Sequence, residues 1–262
     1  MAKLGFLGMG KMGSSIFYGI VKTGLYKKDD ILFFAPSSST QEKYRNEGVR
    51  LAHDQRDLVE RSSIIILAIR PQKYDEVFAL LNGLDLRGKI FVSLAPGKDI
   101  ASLSATLAGA TVCRAMPNTP ATIGKAMTTL AFASTPIKEV EDIFSSIGTT
   151  LLIDENKMDE VIPLQGSLPA YLFYFAKAFL VSAKQQGIDE DLAKKLLFES
   201  IIGSSHLALQ SEENLDTLID QVCSKGGSTI AGLNKLKEGS FEEDIKACFD
   251  ACVSRSKELA KV

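Results

Sequence analysis

Histidine is scarce in this chain: His53 and His206 are the two it has, and neither falls in a cluster with metal-ligand spacing. No Gly-x-Ser-x-Gly string is present, so a Ser-His-Asp hydrolase would lack its nucleophile turn. The four cysteines, Cys113, Cys223, Cys248 and Cys252, form no Cys-x-x-Cys. Cys248 and Cys252 lie one helical turn apart and read as packing residues, so no metal is expected. No large excess of either charge exists, with 30 Lys and Arg against 32 Asp and Glu. Nucleic acid is therefore not an expected partner, because binding a phosphate backbone needs concentrated Lys and Arg. Long apolar runs are also missing. Residues 64–69 and 176–183, the latter interrupted by Lys177 and Ser182, fall short of the roughly 20 residues a membrane span requires. The opening residues show no signal-peptide pattern, and the expectation is a cytoplasmic protein without a membrane partner.

What is present is an ordinary globular balance, 45% hydrophobic and 24% charged over 262 residues. That length suits one large or two modest domains. In the first half strand and helix signals alternate. Short apolar runs at 3–7, 31–35, 64–69, 89–94, 111–115, 127–132 and 149–153 predict strands. Segments 12–22, 40–46, 74–81, 100–107 and 137–146 predict helices. Such alternation predicts a parallel, doubly wound sheet with its ligand at the edge where the strands end. After about Asp154 no convincing strand appears, and helices are predicted at 170–186, 189–209, 215–222, 229–237 and 241–259. The fold class expected is α/β: a Rossmann-type dinucleotide-binding domain over 1–153, then an all-helical domain over 154–262. The long apolar helices exceed what a lone small bundle needs, so they are expected to pack against a second subunit.

Gly8-Met9-Gly10-Lys11-Met12-Gly13 fits Gly-x-Gly-x-x-Gly between a short apolar strand and a helix. That context is what makes the pattern a dinucleotide loop. The first glycine permits a tight turn, the second lets the backbone approach a pyrophosphate, and the third lets helix and strand pack closely. Free amides at the helix start then face the phosphates. After the second strand, where an NAD site places Asp or Glu, the chain has Ala35-Pro36-Ser37-Ser38-Ser39-Thr40. No acid stands there to repel a 2′-phosphate, and Ser37 and Ser38 offer hydroxyls, with charge available from Lys11 or Lys43. NADP(H) is therefore expected over NAD(H), which stays possible. The same serines also suit a turn and a helix cap, and the two readings are compatible.

A second candidate anion site is Ser224-Lys225-Gly226-Gly227-Ser228-Thr229, ahead of a helical run. Glycines flanked by hydroxyls at a helix N-terminus make a carboxylate cradle. Read alone, the segment is equally a capped helix start with a flexible lead-in.

Taken together, several segments resemble pyrroline-5-carboxylate reductase, over nearly the whole chain. They are the glycine loop; Leu67-Ala68-Ile69-Arg70-Pro71-Gln72; Arg114-Ala115-Met116-Pro117-Asn118-Thr119-Pro120; Gly166-Ser167-Leu168-Pro169-Ala170-Tyr171; and the 224–229 loop with Ile230-Ala231-Gly232-Leu233. The Arg-x-Met-Pro-Asn-Thr-Pro string is the most specific of these. The resemblance implies a helical dimerisation domain, hence a homodimer or a multiple of dimers. It implies that Ala68, Ile69, Arg70, Pro71 and Asn118 lie along the cofactor. It implies that a small imino-acid substrate places its carboxylate against Ser224, Gly226, Gly227, Ser228 and Thr229, near the partner subunit. Ser224 and Thr229 become the candidate catalytic residues. The reaction implied is NADPH-dependent reduction of pyrroline-5-carboxylate to proline, the last step of proline biosynthesis. No proton donor is named by the sequence.

The chain departs from the family pattern at three places. Gln165 and Leu168 stand where smaller residues are usual, and Leu168 is expected to narrow the pocket. Lys225 replaces a proline in the anion loop, and Pro96 replaces an alanine. Two alternatives follow: a relative acting on another cyclic imino acid, or an idle NADPH-binding sensor or scaffold. A β-hydroxyacid dehydrogenase would offer a catalytic lysine, and neither Lys177 nor Lys184 carries a supporting motif.

Overall fold

The structure, a computed structural model, describes residues 2–259. Met1 and residues 260–262, the outer ends of the two expected domains, lie outside the described residues. The chain runs β1 (Ala2–Leu7), α1 (Lys11–Thr23), β2 (Ile31–Phe34), α2 (Ser38–Asn46), β3 (Arg50–Leu51), α3 (Gln55–Arg61), β4 (Ser62–Leu67) and α4 (Tyr74–Leu80). It continues through β5 (Ile90–Ser93), α5 (Ile100–Thr106), β6 (Thr111–Met116), β7 (Ala126–Phe132), α6 (Lys138–Ser146) and β8 (Gly148–Leu152). Five helices follow: α7 (Leu168–Gln185), α8 (Glu190–Gln210), α9 (Leu215–Val222), α10 (Ser228–Glu238) and α11 (Phe241–Leu259).

The strands form one sheet in the order β3-β2-β1-β4-β5-β6-β7-β8. β1 pairs in parallel with β2 on one side and β4 on the other, so the winding reverses between β1 and β4. The expected parallel sheet needs one correction, since β7 runs antiparallel to β6. Only residues 117–125 join these strands, too few for the crossover a parallel pair requires. α6 supplies such a crossover between β7 and β8, which pair in parallel. β3 and α3 were not anticipated from the sequence. β3 is two residues long, and α3 lies in a charged stretch whose signal is Asp54 accepting from the Asp57 amide at its start.

Apolar side chains bury both faces of the sheet. Ile16, Phe17 and Ile20 of α1, Tyr44 of α2 and Val140, Ile143 and Phe144 of α6 cover one face. Leu58 and Val59 of α3, Tyr74 and Phe78 of α4, and Ile100 and Leu103 of α5 cover the other, joined by Met158 and Ile162. Because strands of such a sheet meet helices on both sides, β4 reads Ile64-Ile65-Ile66-Leu67 with no polar alternation.

By contacts the chain divides into two compact units. One holds residues up to Pro169 together with the chain from Ala251 onward; the other holds Ala170–Asp250. In the second unit α8 opens on Asp189, whose side chain accepts from the Leu192 amide, with Glu190 and Asp191 in the first turn. That is what the acidic opening predicts. Helices α7 and α8 bury one residue each, Ala176 and Ala193, and α9 and α10 bury none. Phe173, Tyr174, Leu196, Leu207 and Leu209 are all exposed. Apolar surface on this scale marks a face meant for another protein surface.

Candidate active site

The glycine loop lies at the point where the winding reverses, between the ends of β1 and β4. Gly8 has φ +95°, and a Cβ there would meet the Ala68 carbonyl oxygen at 2.6 Å and the Ile69 side chain at 2.8 Å. Only glycine lets the two strand ends approach so closely. A Cβ on Gly13 would meet the Gly8 carbonyl at 2.8 Å, so the helix packs directly on the loop. At Gly10 a Cβ would meet nothing within 4 Å. Gly10 is also the N-cap of α1, without a side-chain cap. The helix thus opens onto free space with uncapped amides, the geometry that a pyrophosphate requires. Met9 is buried against the sheet, whereas Lys11 is exposed.

Ser37 and Ser38 are exposed at the start of α2. Ser37 caps it, accepting from the Thr40 amide, and its hydroxyl lies 2.8 Å from that of Ser39. No carboxylate occurs between the end of β2 and this cap. Arg70 is exposed and Pro71 half-buried at the start of a short 3-10 turn. Asn118 is buried. Its Nδ2 donates to the Gln165 carbonyl at 3.0 Å and its Oδ1 accepts from the Met127 amide at 2.9 Å. Both ends of that carboxamide are therefore engaged by the protein.

Beside the loop lies a cavity of about 290 Å³. Met12, Ala68 and Ile69 line it from the side of the glycine loop, and Leu94, Pro96, Met116 and Pro117 from the ends of β5 and β6. Ile162, Gly166 and Ser167 close it. Its lining side chains are apolar apart from Ser167, whose hydroxyl lies 3.4 Å from the Cys252 sulfur. An apolar slot beside a glycine loop suits a flat ring with a small substrate above it. Leu168 is half-exposed at the start of α7 and does not line this cavity. Sequence reasoning named the motifs carrying Met116, Pro117, Gly166 and Ser167 but gave those residues no place in a site; the ends of β5 and β6 were the available signal.

The 224–229 loop belongs to the helical unit. Gly226 has φ +73°, and Gly227 is the N-cap of α10, again without a side-chain cap. A Cβ on Gly227 would crowd the Ser224 hydroxyl at 2.5 Å. Ser224, Ser228 and Thr229 are exposed. Thr229 also lines an apolar cavity of about 410 Å³ with Leu207, Leu218 and Leu233. The loop is thus a second uncapped helix start with hydroxyls beside it, a geometry suited to a small carboxylate.

Fold and cofactor loop together define a dinucleotide-dependent oxidoreductase. Two family profiles match: that described as NADP oxidoreductase coenzyme F420-dependent over residues 3–97, and that described as pyrroline-5-carboxylate reductase dimerisation over residues 155–259. The pyrroline-5-carboxylate reductase of Methanosarcina acetivorans is 32% identical, covering 99% of this chain and 98% of its own. That of Pisum sativum is 30% identical, covering 98% and 96%. Among solved structures, the Plasmodium falciparum pyrroline carboxylate reductase with NADP bound superposes with a TM-score of 0.89 at 27% identity, over 99% of this chain and 98% of that one. The Streptococcus pyogenes 1-pyrroline-5-carboxylate reductase does so with 0.87 at 26% identity, over 98% of both. The chain belongs to the pyrroline-5-carboxylate reductase family.

Proposed function

We propose that the protein reduces 1-pyrroline-5-carboxylate to L-proline with NADPH in preference to NADH. The observation that carries this reading is the apolar cavity directly beside the Gly8-to-Gly13 loop, in a chain with a separate carboxylate cradle. NADPH, when bound, supplies the hydride that goes to the C=N carbon. The amides of Gly10, Lys11, Met12 and Gly13 bind the pyrophosphate, and Ser37 and Ser38 meet the 2′-phosphate. Ala68, Ile69, Arg70 and Pro71 flank the cofactor. Asn118 contributes by holding the Gln165 carbonyl and the start of β7.

Ser224, Gly226, Gly227, Ser228 and Thr229 bind the substrate carboxylate through amides and hydroxyls, and Ser224 and Thr229 orient the imine. A protonated imine is already electrophilic, so the protein's main task is alignment of the reacting carbon. The exposed faces of α7 and α8 support assembly as a homodimer or a multiple of it. Among the described residues no helix is long and apolar enough to cross a membrane. The free cysteines support a reducing, cytoplasmic setting.

The test is NADPH absorbance with pyrroline-5-carboxylate, with NADH in parallel. Imine-dependent oxidation, faster with NADPH, is the expected result. Cofactor binding without oxidation would overturn the assignment.

A further inference from the structure

Arg114 opens the most specific string in the sequence, yet it belongs to neither the glycine loop nor the carboxylate cradle. It sits on β6 and is 3% exposed. Its guanidinium reaches two carboxylates: Nη1 lies 3.3 Å from Glu155 Oε1, and Nη2 lies 3.3 Å from Asp159 Oδ1. A buried cation is tolerated when its partners are themselves held by further hydrogen bonds. Here both are. Glu155 Oε1 also accepts from the Ile100 amide at 2.7 Å. Asp159 Oδ1 also accepts from the Gly97 amide at 3.1 Å and from the Ser256 hydroxyl at 3.0 Å. Gly97 belongs to the turn between β5 and α5, and Ile100 is the first residue of α5. One guanidinium therefore ties together that turn, the end of β6 and the segment after β8.

The same three segments build walls of the cavity. Leu94 and Pro96 come from the turn, Met116 and Pro117 from the end of β6, and Ile162 and Gly166 from the segment after β8. Apolar walls make few directional contacts of their own, so their spacing must be set from behind. Arg114 does not itself line the cavity. We infer that Arg114 is a positioning residue, whose paired bonds to Glu155 and Asp159 set the separation of these walls and hence the alignment of the imine carbon for hydride transfer. The inference rests on reading this cavity as the hydride-transfer site. Misplacement by about 1 Å at such a site costs turnover on the order of a hundredfold. Among the described residues, Gly8 to Gly13, Ser37 and Ser38 share no hydrogen bond or ion pair with the cluster, so cofactor affinity should not follow turnover.

The test compares Arg114→Met with the shape-preserving Glu155→Gln and Asp159→Asn, which decide the matter if Arg114→Met does not fold. In Arg114→Met, kcat should fall about tenfold or more, with the NADPH Kd within about twofold of wild type. The isotope effect on kcat with NADPH deuterated at the transferred position should rise, because hydride transfer becomes the slow step. The Gly97 and Ile100 amides should exchange with solvent at least about tenfold faster in all three variants. Folded variants with wild-type kcat and isotope effect would overturn the inference, whatever their melting temperatures. So would a loss of NADPH affinity parallel to the loss of kcat. If wild type itself turns over no imine, the functional reading fails separately. The amide exchange then decides: unchanged protection at Gly97 and Ile100 overturns the inference.

Discussion

Gly8 and Ala68 meet backbone to backbone where the sheet reverses its winding: a Cβ on Gly8 would sit 2.6 Å from the Ala68 carbonyl oxygen, and Gly8 has φ +95°. A Cβ on Gly10, two residues on, would meet nothing within 4 Å. The two glycines should therefore fail differently. Gly8→Ala combines a strained φ with a backbone clash and should destabilise the fold by about 2–4 kcal/mol. Gly10→Ala should change stability by no more than about 1 kcal/mol. It should nevertheless weaken NADPH about tenfold or more, because the methyl group would fill the open space where the proposed site takes the pyrophosphate. Thermal melts and NADPH fluorescence titration separate the two, and equal effects on both would reject the assigned roles.

Ser37 permits a test of cofactor choice that leaves the fold alone. Aspartate is as good an N-cap as serine, so Ser37→Asp keeps the bond from the Thr40 amide. Its charge repels a 2′-phosphate and accepts from a ribose 2′-hydroxyl. The ratio of NADPH to NADH affinity should drop by about tenfold or more, with NADH binding unchanged or tighter. An unchanged ratio would place the 2′-phosphate elsewhere.

Gln165 is 5% exposed, and neither its Oε1 nor its Nε2 has a hydrogen-bond partner among the described residues. An unpaired buried polar group costs about 1–3 kcal/mol. Gln165→Met retains the length and removes both groups, and it should raise stability by about 1–2 kcal/mol in urea denaturation. A loss of stability would mean that the carboxamide has a partner in solution.

Cys113 lies fully buried on β6, and burial pushes its thiol up to about 12 from an ordinary value of 9.0. The raised value means that the neutral thiol belongs to the folded state. The stability it contributes is complete below pH 9.0 and is lost as the pH rises toward about 12. At neutral pH, iodoacetamide should leave Cys113 unmodified in the native protein and label it after unfolding, as peptide mass spectrometry would register. Native labelling at Cys113 would contradict the buried placement.

The helices and strands were legible because their signals are local. β4 carries three isoleucines in a row, α8 opens on three acids, and the glycine loop couples a strand to a helix within six residues. β3 and α3 escaped notice, since a two-residue strand has no periodicity and α3 covers its apolar pair with charges. The antiparallel turn at β7 was hidden for another reason. Strand direction depends on whether nine residues can make a crossover, and residue types do not state that.

The sequence by itself determined the α/β order, the dinucleotide loop, the absence of an acid after β2 and the family resemblance. Each of these is a matter of neighbouring residues and short spacings. The tertiary structure alone decided that Gly8 abuts Ala68, that Asn118 binds the Gln165 carbonyl, and that Arg114 gathers Glu155 and Asp159 behind the cavity. These partners are 41 to 60 residues apart, from Arg114 with Glu155 at the near end to Gly8 with Ala68 at the far end. Nothing local links them: parallel β1 and β4 bring Gly8 and Ala68 to one edge of the sheet, and the chain that leaves β8 passes back beside β6, where Glu155, Asp159 and Gln165 meet Arg114 and Asn118.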